Sequence, residues 1–489
     1  MSNYRLVNEK QFVAATRDTG YRSTSAAVAE LVDNALQAQA RSIRITLRED
    51  RKDTDREIKV AVADDGCGMT PEEVRRALQW AGSSRFNDRS GLGRFGMGLP
   101  NSSVSQARRV EVYAWNRGKK PHVTYLDLDE IEGGRLREVP KPVPCSVPDW
   151  IDQTSASGTV VVWSRCDRLD YKKATTLERK LQEDLGRIFR HPLWEGVEIV
   201  VNESYVEPND PLFIRPPMTR GVRASEPMPP LRFPIRLQDG TVTEVVARFS
   251  LLPIEEWHDL CVESKRALGI VGGAGVSVLR AGREIAHGWF FMNGKKRQNY
   301  DDWWRVEIDF QPPLDELMGV THSKQGIRPT SELGQILAPD VGAIARDLSA
   351  RVRDQFVRLA KQGSEAASRA EGREWRLPRV PVESRPFTVP SPSSRMEHLQ
   401  YDISFADSPE LDFFSWSREG SELQLQINEN HPFYRAFYRP VTEAGLEWVR
   451  AQVELMLLAF ARAEISENPE VASSLRTRWS DVVATFLGE

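Results

Sequence analysis

Glu30-Leu-Val-Asp33-Asn34-Ala-Leu-Gln37-Ala is the stretch of sequence from which the fold can be worked out. It lies on a helical pattern of apolar residues, and a spacing of four places Glu30 and Asn34 side by side on one helix face. A carboxylate there can act as general base on a water molecule, and an amide oxygen can hold a magnesium ion between phosphates. Taken alone, the pattern is more typical of a solvated helix face.

A second motif, Asp64-Asp-Gly66-Cys-Gly68-Met69, begins where an alternating strand ends. Glycines allow the backbone to approach a flat ligand closely and to adopt a positive φ. Asp64 could accept a hydrogen bond from an exocyclic amine such as that of adenine, and Thr159, which precedes a later strand, adds a hydroxyl that could bond Asp64 or the adenine. A plain turn would give the same pattern.

The third motif is a glycine-rich loop that leads into a helical stretch, Gly91-Leu-Gly93-Arg-Phe-Gly96-Met97-Gly98-Leu99-Pro100. Backbone N–H groups and the positive end of a helix together form a phosphate cradle. Pro100 fits the first turn of that helix, where its missing N–H costs little. A flexible lid would have the same glycine-rich sequence. The three motifs together, in this order, supply a base, a metal ligand, an adenine acceptor and a phosphate loop, which are the parts of a nucleotide hydrolase.

Length and composition predict an ordinary multidomain protein. A chain of 489 residues suggests about three domains. No apolar run is long enough to span a membrane, and the N-terminus lacks the layout of a signal peptide, so we expect a cytoplasmic protein that does not bind a membrane. Four scattered cysteines indicate neither a disulfide framework nor a zinc site, and a net charge of -4 leaves DNA binding to a local basic patch.

Periodicity predicts three folded regions. Strand-like alternation at 43–47, 58–64, 110–114 and 160–163 indicates a mixed α/β domain over residues 1–205. A smaller α/β domain follows over 206–375, with strands at 241–252, 275–280 and 304–310 and an amphipathic stalk helix from Val341. A proline-rich linker over 376–395 leads to an α+β domain over 396–489. There, Leu446, Val449, Val453, Met456, Leu457 and Phe460 form an apolar stripe, which favours a core helix over a dimer seam.

The three motifs resemble the GHKL family of ATPases, named for gyrase, heat-shock-90 chaperones, histidine kinases and MutL. The resemblance covers about residues 26–159 and implies a Bergerat-type α/β two-layer sandwich that binds ATP and Mg²⁺. It further implies that Glu30 activates the hydrolytic water, that Asn34 binds Mg²⁺ and that Asp64 recognises adenine. The other positions matched to nucleotide-binding residues of the family are Gly66, Gly68, Met69, Ser84, Gly91, Gly93, Gly96, Met97, Gly98, Leu99 and Thr159.

Within this family, the sequence looks closest to MORC proteins and their prokaryotic relatives. The segments 278–285 and 303–325 resemble the transducer domain of MORC- and MutL-like ATPases, and Lys324 matches a lysine that reaches the γ-phosphate in those proteins. Two residues depart from the pattern. Gln37 stands where an acidic residue is frequent, and Pro100 stands where MORC proteins often carry lysine, which puts the rate of turnover in doubt.

The resemblance implies an ATPase clamp that forms a homodimer on ATP binding and acts on DNA or with a nucleic-acid-processing partner, in bacteria within a restriction or anti-phage system. A chaperone-like ATPase that acts on protein clients is the main alternative. A histidine kinase and a non-hydrolysing scaffold are further ones. Three basic stretches could contact DNA, although each is more typical of a solvated face: 295–297, 108–109 and 172–180.

Overall fold

The computed structural model describes residues 9–18, 20–21, 23–52, 55–80, 82, 97–152, 155–217, 221–258, 260, 262–320, 326–361, 365–374, 376–377, 380–381, 396–397, 399–409, 412–443 and 446–487. The chain divides into two compact units. The first contains Met1–Leu252, Ala274–Arg297 and Trp304–Ala345, and the second contains Pro253–Gly273, Gln298–Trp303 and Arg346–Glu489.

An eight-stranded mixed sheet forms the first part of unit 1, in the order β5-β4-β3-β6-β2-β1-β7-β8. Its strands are β1 (Ser42–Lys52), β2 (Asp55–Asp64), β3 (Ala107–Trp115), β4 (His122–Asp127), β5 (Val143–Pro144), β6 (Gly158–Cys166), β7 (Glu198–Val201) and β8 (Ser204–Tyr205). Neighbouring strands are antiparallel except β1 and β7, which are parallel. The helices of this part are α1 (Glu9–Asp18), α2 (Thr24–Gln37), α3 (Pro71–Ala77), α4 (Gly98–Gln106), α5 (Leu128–Glu132), α6 (Ala174–Ile188) and α7 (Arg190–Trp194).

The two faces of this sheet bury different side chains, as the period-two alternation of a strand requires. On β2, Val60 and Val62 join one apolar core with residues of α2, α4 and α6. Ala61 and Ala63 face the opposite side and pack in a smaller cluster with Trp115. The helices therefore form a second layer on one face, which confirms the predicted two-layer α/β sandwich, and the four predicted strands are β1, β2, β3 and β6.

A second, five-stranded sheet in unit 1 has the order β12-β11-β13-β10-β9. Its strands are β9 (Leu231–Arg236), β10 (Val242–Leu251), β11 (Val276–Arg280), β12 (Arg283–Gly288) and β13 (Trp304–Phe310), and β11 and β13 are parallel. Two short helices follow, a 3-10 turn at Pro312–Leu314 and α10 (Asp315–Met318). The three strands predicted for this region are β10, β11 and β13.

Helix α11 (Ser331–Lys361) contributes residues to both units. The amphipathic pattern predicted this helix from Val341, and Val341, Leu348 and Val352 are indeed buried. The predicted start was wrong by ten residues, because α11 passes through Pro339. Proline usually ends a helix or is confined to its first turn, so its presence in the sequence concealed the N-terminal part of α11.

Unit 2 contains a three-stranded sheet, in which β16 and β18 are parallel and β17 and β18 antiparallel. Its elements are α8 (Ile254–Trp257), α9 (Val262–Ala267), a 3-10 turn at Asn299–Trp303, α12 (Glu365–Glu374), β14 (Val380–Pro381), β15 (Met396–Glu397), β16 (Gln400–Ala406), β17 (Phe414–Glu419), β18 (Glu422–Asn428), a π-turn at Tyr434–Tyr438, α13 (Arg439–Glu443), α14 (Glu447–Glu464) and α15 (Pro469–Phe486). The two-residue strands β14 and β15 pair with each other, and residues 382–395 of the proline-rich stretch lie outside the described residues.

Helix α14 is the element that the apolar stripe of the last region predicted. Leu457 and Leu458 are buried in a core with the three-stranded sheet, and Val453 and Phe460 pack against that core. Met456 was placed in the same stripe, but its side chain is exposed, with 70% of its surface accessible. The prediction that Met456 belongs to the buried stripe was therefore wrong. Met456 lies one residue from the buried Leu457, and its side chain points to another face of the helix.

A buried ionic cluster attaches α7 to the second sheet of unit 1. Arg190 donates to Glu284 on β12 at 2.7 Å, to Glu307 on β13 at 2.8 Å and to the hydroxyl of Ser277 at 2.9 Å. Burial opposes ionisation of Glu307, but a hydrogen bond with His191 and the charge of Arg190 outweigh burial and lower the pKa of Glu307 to about 2. Both carboxylates are thus held ionised next to a guanidinium that is inaccessible to solvent.

We predict that Arg190→Met lowers the free energy of unfolding by about 3–5 kcal/mol, because the change removes the fully buried cation that pairs with both of these buried carboxylates. Arg179→Met is the matched control, since Arg179 pairs with Glu183 while 68% exposed, and it should cost about 0–1 kcal/mol. Denaturant titration of the two variants provides the measurement. Equal losses in both would show that the cluster contributes no more than a surface pair.

Candidate nucleotide-binding site

Helix α2 carries Glu30 and Asn34 into the interior of unit 1. The hydroxyl of Ser23 caps its first turn by accepting a hydrogen bond from the backbone N–H of Ala26, and small apolar residues let the helix pack closely against the sheet. Glu30 is 4% exposed. The amide nitrogen of Asn34 is buried and has no hydrogen-bond partner among the described residues. A polar group in that condition is typical of a site that a ligand completes.

The start of α4 lies directly against Glu30. A Cβ atom on Gly98 would stand 2.1 Å from Oε1 of Glu30, so the residue here must be glycine for the two helices to approach this closely. Met97 occupies the N-cap, and no described side chain caps this end of the helix. The predicted position of Pro100 in the first turn is confirmed. The uncapped first turn therefore offers its backbone N–H groups and the positive end of the helix beside a buried carboxylate.

Asp64 is the last residue of β2, and its carboxyl group is buried. Oδ1 accepts a hydrogen bond from the backbone N–H of Gly66 at 2.9 Å, and the backbone of Thr159, its partner in register on β6, bonds the same carboxyl. Burial is the largest influence and raises the pKa of Asp64 to about 6, against the opposing effect of these two hydrogen bonds. A buried carboxylate with spare acceptor capacity favours a ligand that donates hydrogen bonds.

Two glycines after Asp64 are required by the space around them. A Cβ atom on Gly66 would stand 2.8 Å from Ala38 at the end of α2. At Gly68, φ is +68°, and a Cβ atom would stand 1.9 Å from the carbonyl oxygen of Trp115. The glycines thus let the segment pass between α2 and β3, and Met69 packs against the main core behind it.

The structure brings the described parts of the three predicted motifs together around α2. Glu30 contacts Gly98 of the third motif, and Ala38, at the C-cap of the same helix, accepts a hydrogen bond from the backbone of Cys67 in the second. Asn34 lies between them, one turn after Glu30. Of the other residues proposed for the site, these lie outside the described residues: Ser84, Gly91, Gly93, Gly96 and Lys324.

Two residues near Glu30 were missed at the level of sequence. The Tyr21 hydroxyl donates a hydrogen bond to Glu30, and burial, followed by the charges of Glu30 and Asp33, raises the pKa of Tyr21 well above its usual value. On an adjoining part of the helix surface, Arg283 at the start of β12 pairs with Asp33 at 3.2 Å. Tyr21 could have been found from the sequence, because it lies shortly before the helix that carries Glu30. Nothing in the local sequence indicates that Arg283 would contact that helix.

Residues 21–159 match the sequence model of a family described as histidine kinase-, DNA gyrase B- and HSP90-like ATPases. This range begins at the tyrosine bonded to Glu30 and ends at the threonine paired with Asp64. This match identifies residues 21–159 as a GHKL-type ATPase domain, which we call the GHKL domain. The GHKL domain therefore has the α/β fold that the sequence predicted.

The curated relatives of the GHKL domain include MutL and MORC proteins. The chain is 26% identical to the DNA mismatch repair protein MutL of Rhizorhabdus wittichii over 191 residues, which is 37% of this chain and 30% of that protein. It is 35% identical to MutL of Symbiobacterium thermophilum over 113 residues, 22% of this chain and 17% of that protein. It is 33% identical to the ATPase MORC2 of Homo sapiens over 107 residues, 21% of this chain and 10% of that protein. The matched stretches span less than a third of each of these relatives.

No group of three or more His, Cys, Asp or Glu side chains in the described part of the chain is arranged to hold a metal ion. Within the same part, no helix has both the length and the apolar character needed to cross a bilayer.

The raised pKa of Asp64 leads to a prediction about pH. The folded-state pKa lies above the value in the unfolded chain, so this carboxyl contributes less to the free energy of unfolding as the pH rises from about 4 to above 6. Asp64→Asn cannot titrate. The free energy of unfolding of the variant minus that of the unaltered protein should therefore rise by about 2 kcal/mol between about pH 4 and about pH 7.5. Denaturant titrations without nucleotide measure this difference in the free energy of unfolding. A difference that stays constant with pH would contradict the raised pKa of Asp64.

Proposed function

We propose that this protein is a Mg²⁺-dependent ATPase in which ATP binding joins two copies at their N-terminal regions into a clamp around DNA. The observation that carries the catalytic part of this proposal is the contact between Glu30 and Gly98. It places a buried carboxylate against the uncapped first turn of α4, where a terminal phosphate would bind. The relatives named MutL and MORC ATPase support the same class of protein.

Each described side chain has a distinct role in this proposal. Glu30 is the general base that takes a proton from the attacking water, and the Tyr21 hydroxyl holds its carboxylate in place. Asp64 accepts a hydrogen bond from the adenine amine, with Thr159 beside it. The backbone of Met97, Gly98 and Leu99 binds phosphate oxygens at the start of α4. Asn34 would hold Mg²⁺, which when bound neutralises charge on the phosphates.

The switch in this proposal requires a cation from the second sheet region. We assign this role to Lys324, which matches a transducer lysine of MORC- and MutL-like ATPases and lies outside the described residues. A lysine that reaches the γ-phosphate from another region makes docking of that region depend on whether the phosphate is present. Hydrolysis would then release the region and open the clamp.

DNA is the proposed client because the MutL relatives are named DNA mismatch repair proteins. Of the basic stretches considered for contact with DNA, Arg108 and Arg109 are already paired within the chain, Arg108 with Asp129 and Arg109 with Asp127. Lys172, Lys173 and Lys296 are exposed to solvent. These exposed cations are the better candidates, and a bacterial restriction or anti-phage system with a nucleic-acid-processing partner is the proposed setting.

We predict that Glu30→Ala lowers the rate of ATP hydrolysis by about 10²–10⁴-fold while ATP still binds, because the change removes the general base and leaves the phosphate cradle and Asp64 intact. Phosphate release measures the first quantity, and equilibrium binding of a labelled ATP analogue measures the second. Glu72→Ala on the exposed face of α3 is the control and should change neither. Undiminished turnover in Glu30→Ala would remove this residue from the role of base.

We also predict that a non-hydrolysable ATP analogue converts the protein into a dimer that stays on closed circular DNA at high salt and leaves when the circle is cut. Topological capture resists salt, whereas simple ionic binding weakens steeply with it. Sedimentation with and without DNA makes the measurement, and ADP is the control. A dimer that ignores DNA but suppresses aggregation of unfolded proteins would replace the clamp with the chaperone-like alternative.

A further inference from the structure

A buried ion pair joins the second sheet of unit 1 to the helix that carries Glu30. Arg283, the first residue of β12, directs its Nε to the carboxylate of Asp33 on α2 at 3.2 Å. The two residues are 250 positions apart in the chain, and their side chains are 6% and 0% exposed. The guanidinium of Arg283 also donates to the carbonyl of its neighbour Glu284 at 3.1 Å.

Asp33 lies within one helical turn of the two site residues of α2. It follows Glu30 by three positions, which places both on adjoining parts of the helix surface, and it directly precedes Asn34. Tyr21 is close enough to interact with all of the charges involved, since Glu30, Asp33 and Arg283 each affect it electrostatically. A cation from β12, two carboxylates of α2 and the phenol bonded to one of them thus form a single group of interacting side chains.

Stability alone is a poor explanation for this pair. The second sheet is already attached to α7 through Arg190, and α6 adds a contact from Arg187 to Glu284 at 3.1 Å. The free energy needed to remove two charges from water is about equal to the free energy gained from their attraction. A buried ion pair is therefore weak evidence for stability. The pair between Arg283 and Asp33 is better explained by its geometry. The planar guanidinium fixes both the direction and the distance at which a carboxylate can bind.

We propose that Arg283 is a positioning residue, which holds α2 through Asp33 so that Glu30 faces the start of α4. Docking of the second sheet would then set the position of the base directly. This inference rests on the proposed function, since it concerns the rate of the same hydrolysis. It is separate from the proposed action of Lys324, because Arg283 contacts a helix of the GHKL domain rather than the nucleotide.

The test compares Arg283→Met with Arg187→Met, which removes an ion pair to Glu284 of the second sheet rather than the pair with Asp33 of α2. We expect kcat of Arg283→Met to fall by about 10²-fold with the Kd for an ATP analogue unchanged, because a small displacement of a base has an effect of that order. Arg187→Met should keep both values, and Arg283→Lys should recover part of the turnover. Unaltered kcat in Arg283→Met, or a rise in Kd that accounts for its whole defect, would overturn the proposal.

A second variant separates positioning from a merely structural role. Asp33→Asn combined with Arg283→Met removes both charges and leaves neither one buried alone, so its thermal stability should return toward that of the unaltered protein. If Arg283 positions α2, turnover of this double variant stays low although the protein is stable. Turnover that recovers together with stability would show that the pair only supports the fold.

Amide hydrogen exchange along α2 keeps this inference distinct from the proposed function. Arg283→Met should speed exchange in α2, and Arg187→Met should not, whether or not the protein hydrolyses ATP. If the unaltered protein releases no phosphate, the proposed function fails while the exchange result still decides whether Arg283 restrains the helix. Exchange in α2 that is equal in both variants would overturn the restraint itself.

Discussion

The close approach of α2 and α4, where Glu30 meets Gly98, is the constraint on which the rest of the site depends. A carboxylate so deeply buried needs partners, and here it has the positive end of α4 and the hydroxyl of Tyr21. The approach is possible because residue 98 has no side chain and because small apolar residues of α2 pack tightly on the sheet. The same helix ends beside Gly66, so its placement also sets the distance between Gly98 and the turn that follows Asp64.

Buried charges connect this pocket to the second sheet of unit 1. Asp33 on α2 is balanced by Arg283 on β12, and Glu284, the next residue of that strand, is balanced by Arg190 on α7. Successive side chains of a strand point in different directions, so adjacent residues of β12 can contact two different helices of unit 1, α2 and α7. One short strand therefore links the position of the helix that carries Glu30 to the packing of the second sheet.

Much of the fold, and the local part of the site, could be predicted from the sequence. Period-two alternation located β2 and β6, and Pro100 marked the first turn of α4, because these signals depend on neighbours in the chain. The pairing of Arg283 with Asp33 could not be predicted, since it arises from tertiary packing between residues 250 apart. The start of α11 was missed because Pro339 lies inside the helix, and the exposure of Met456 was missed because one residue of shift moves a side chain to another face. Local patterns thus identify elements, and packing decides which side chains meet.

The turn after β2 also limits how this sequence can change over generations. Gly66 and Gly68 have no room for a side chain, and Gly68 adopts a backbone conformation that other residues avoid. Cys67 between them is exposed and meets no such restriction. Descendants of this gene are therefore free to replace the middle residue, whereas nearly every nucleotide substitution that alters either flanking glycine would be removed by selection.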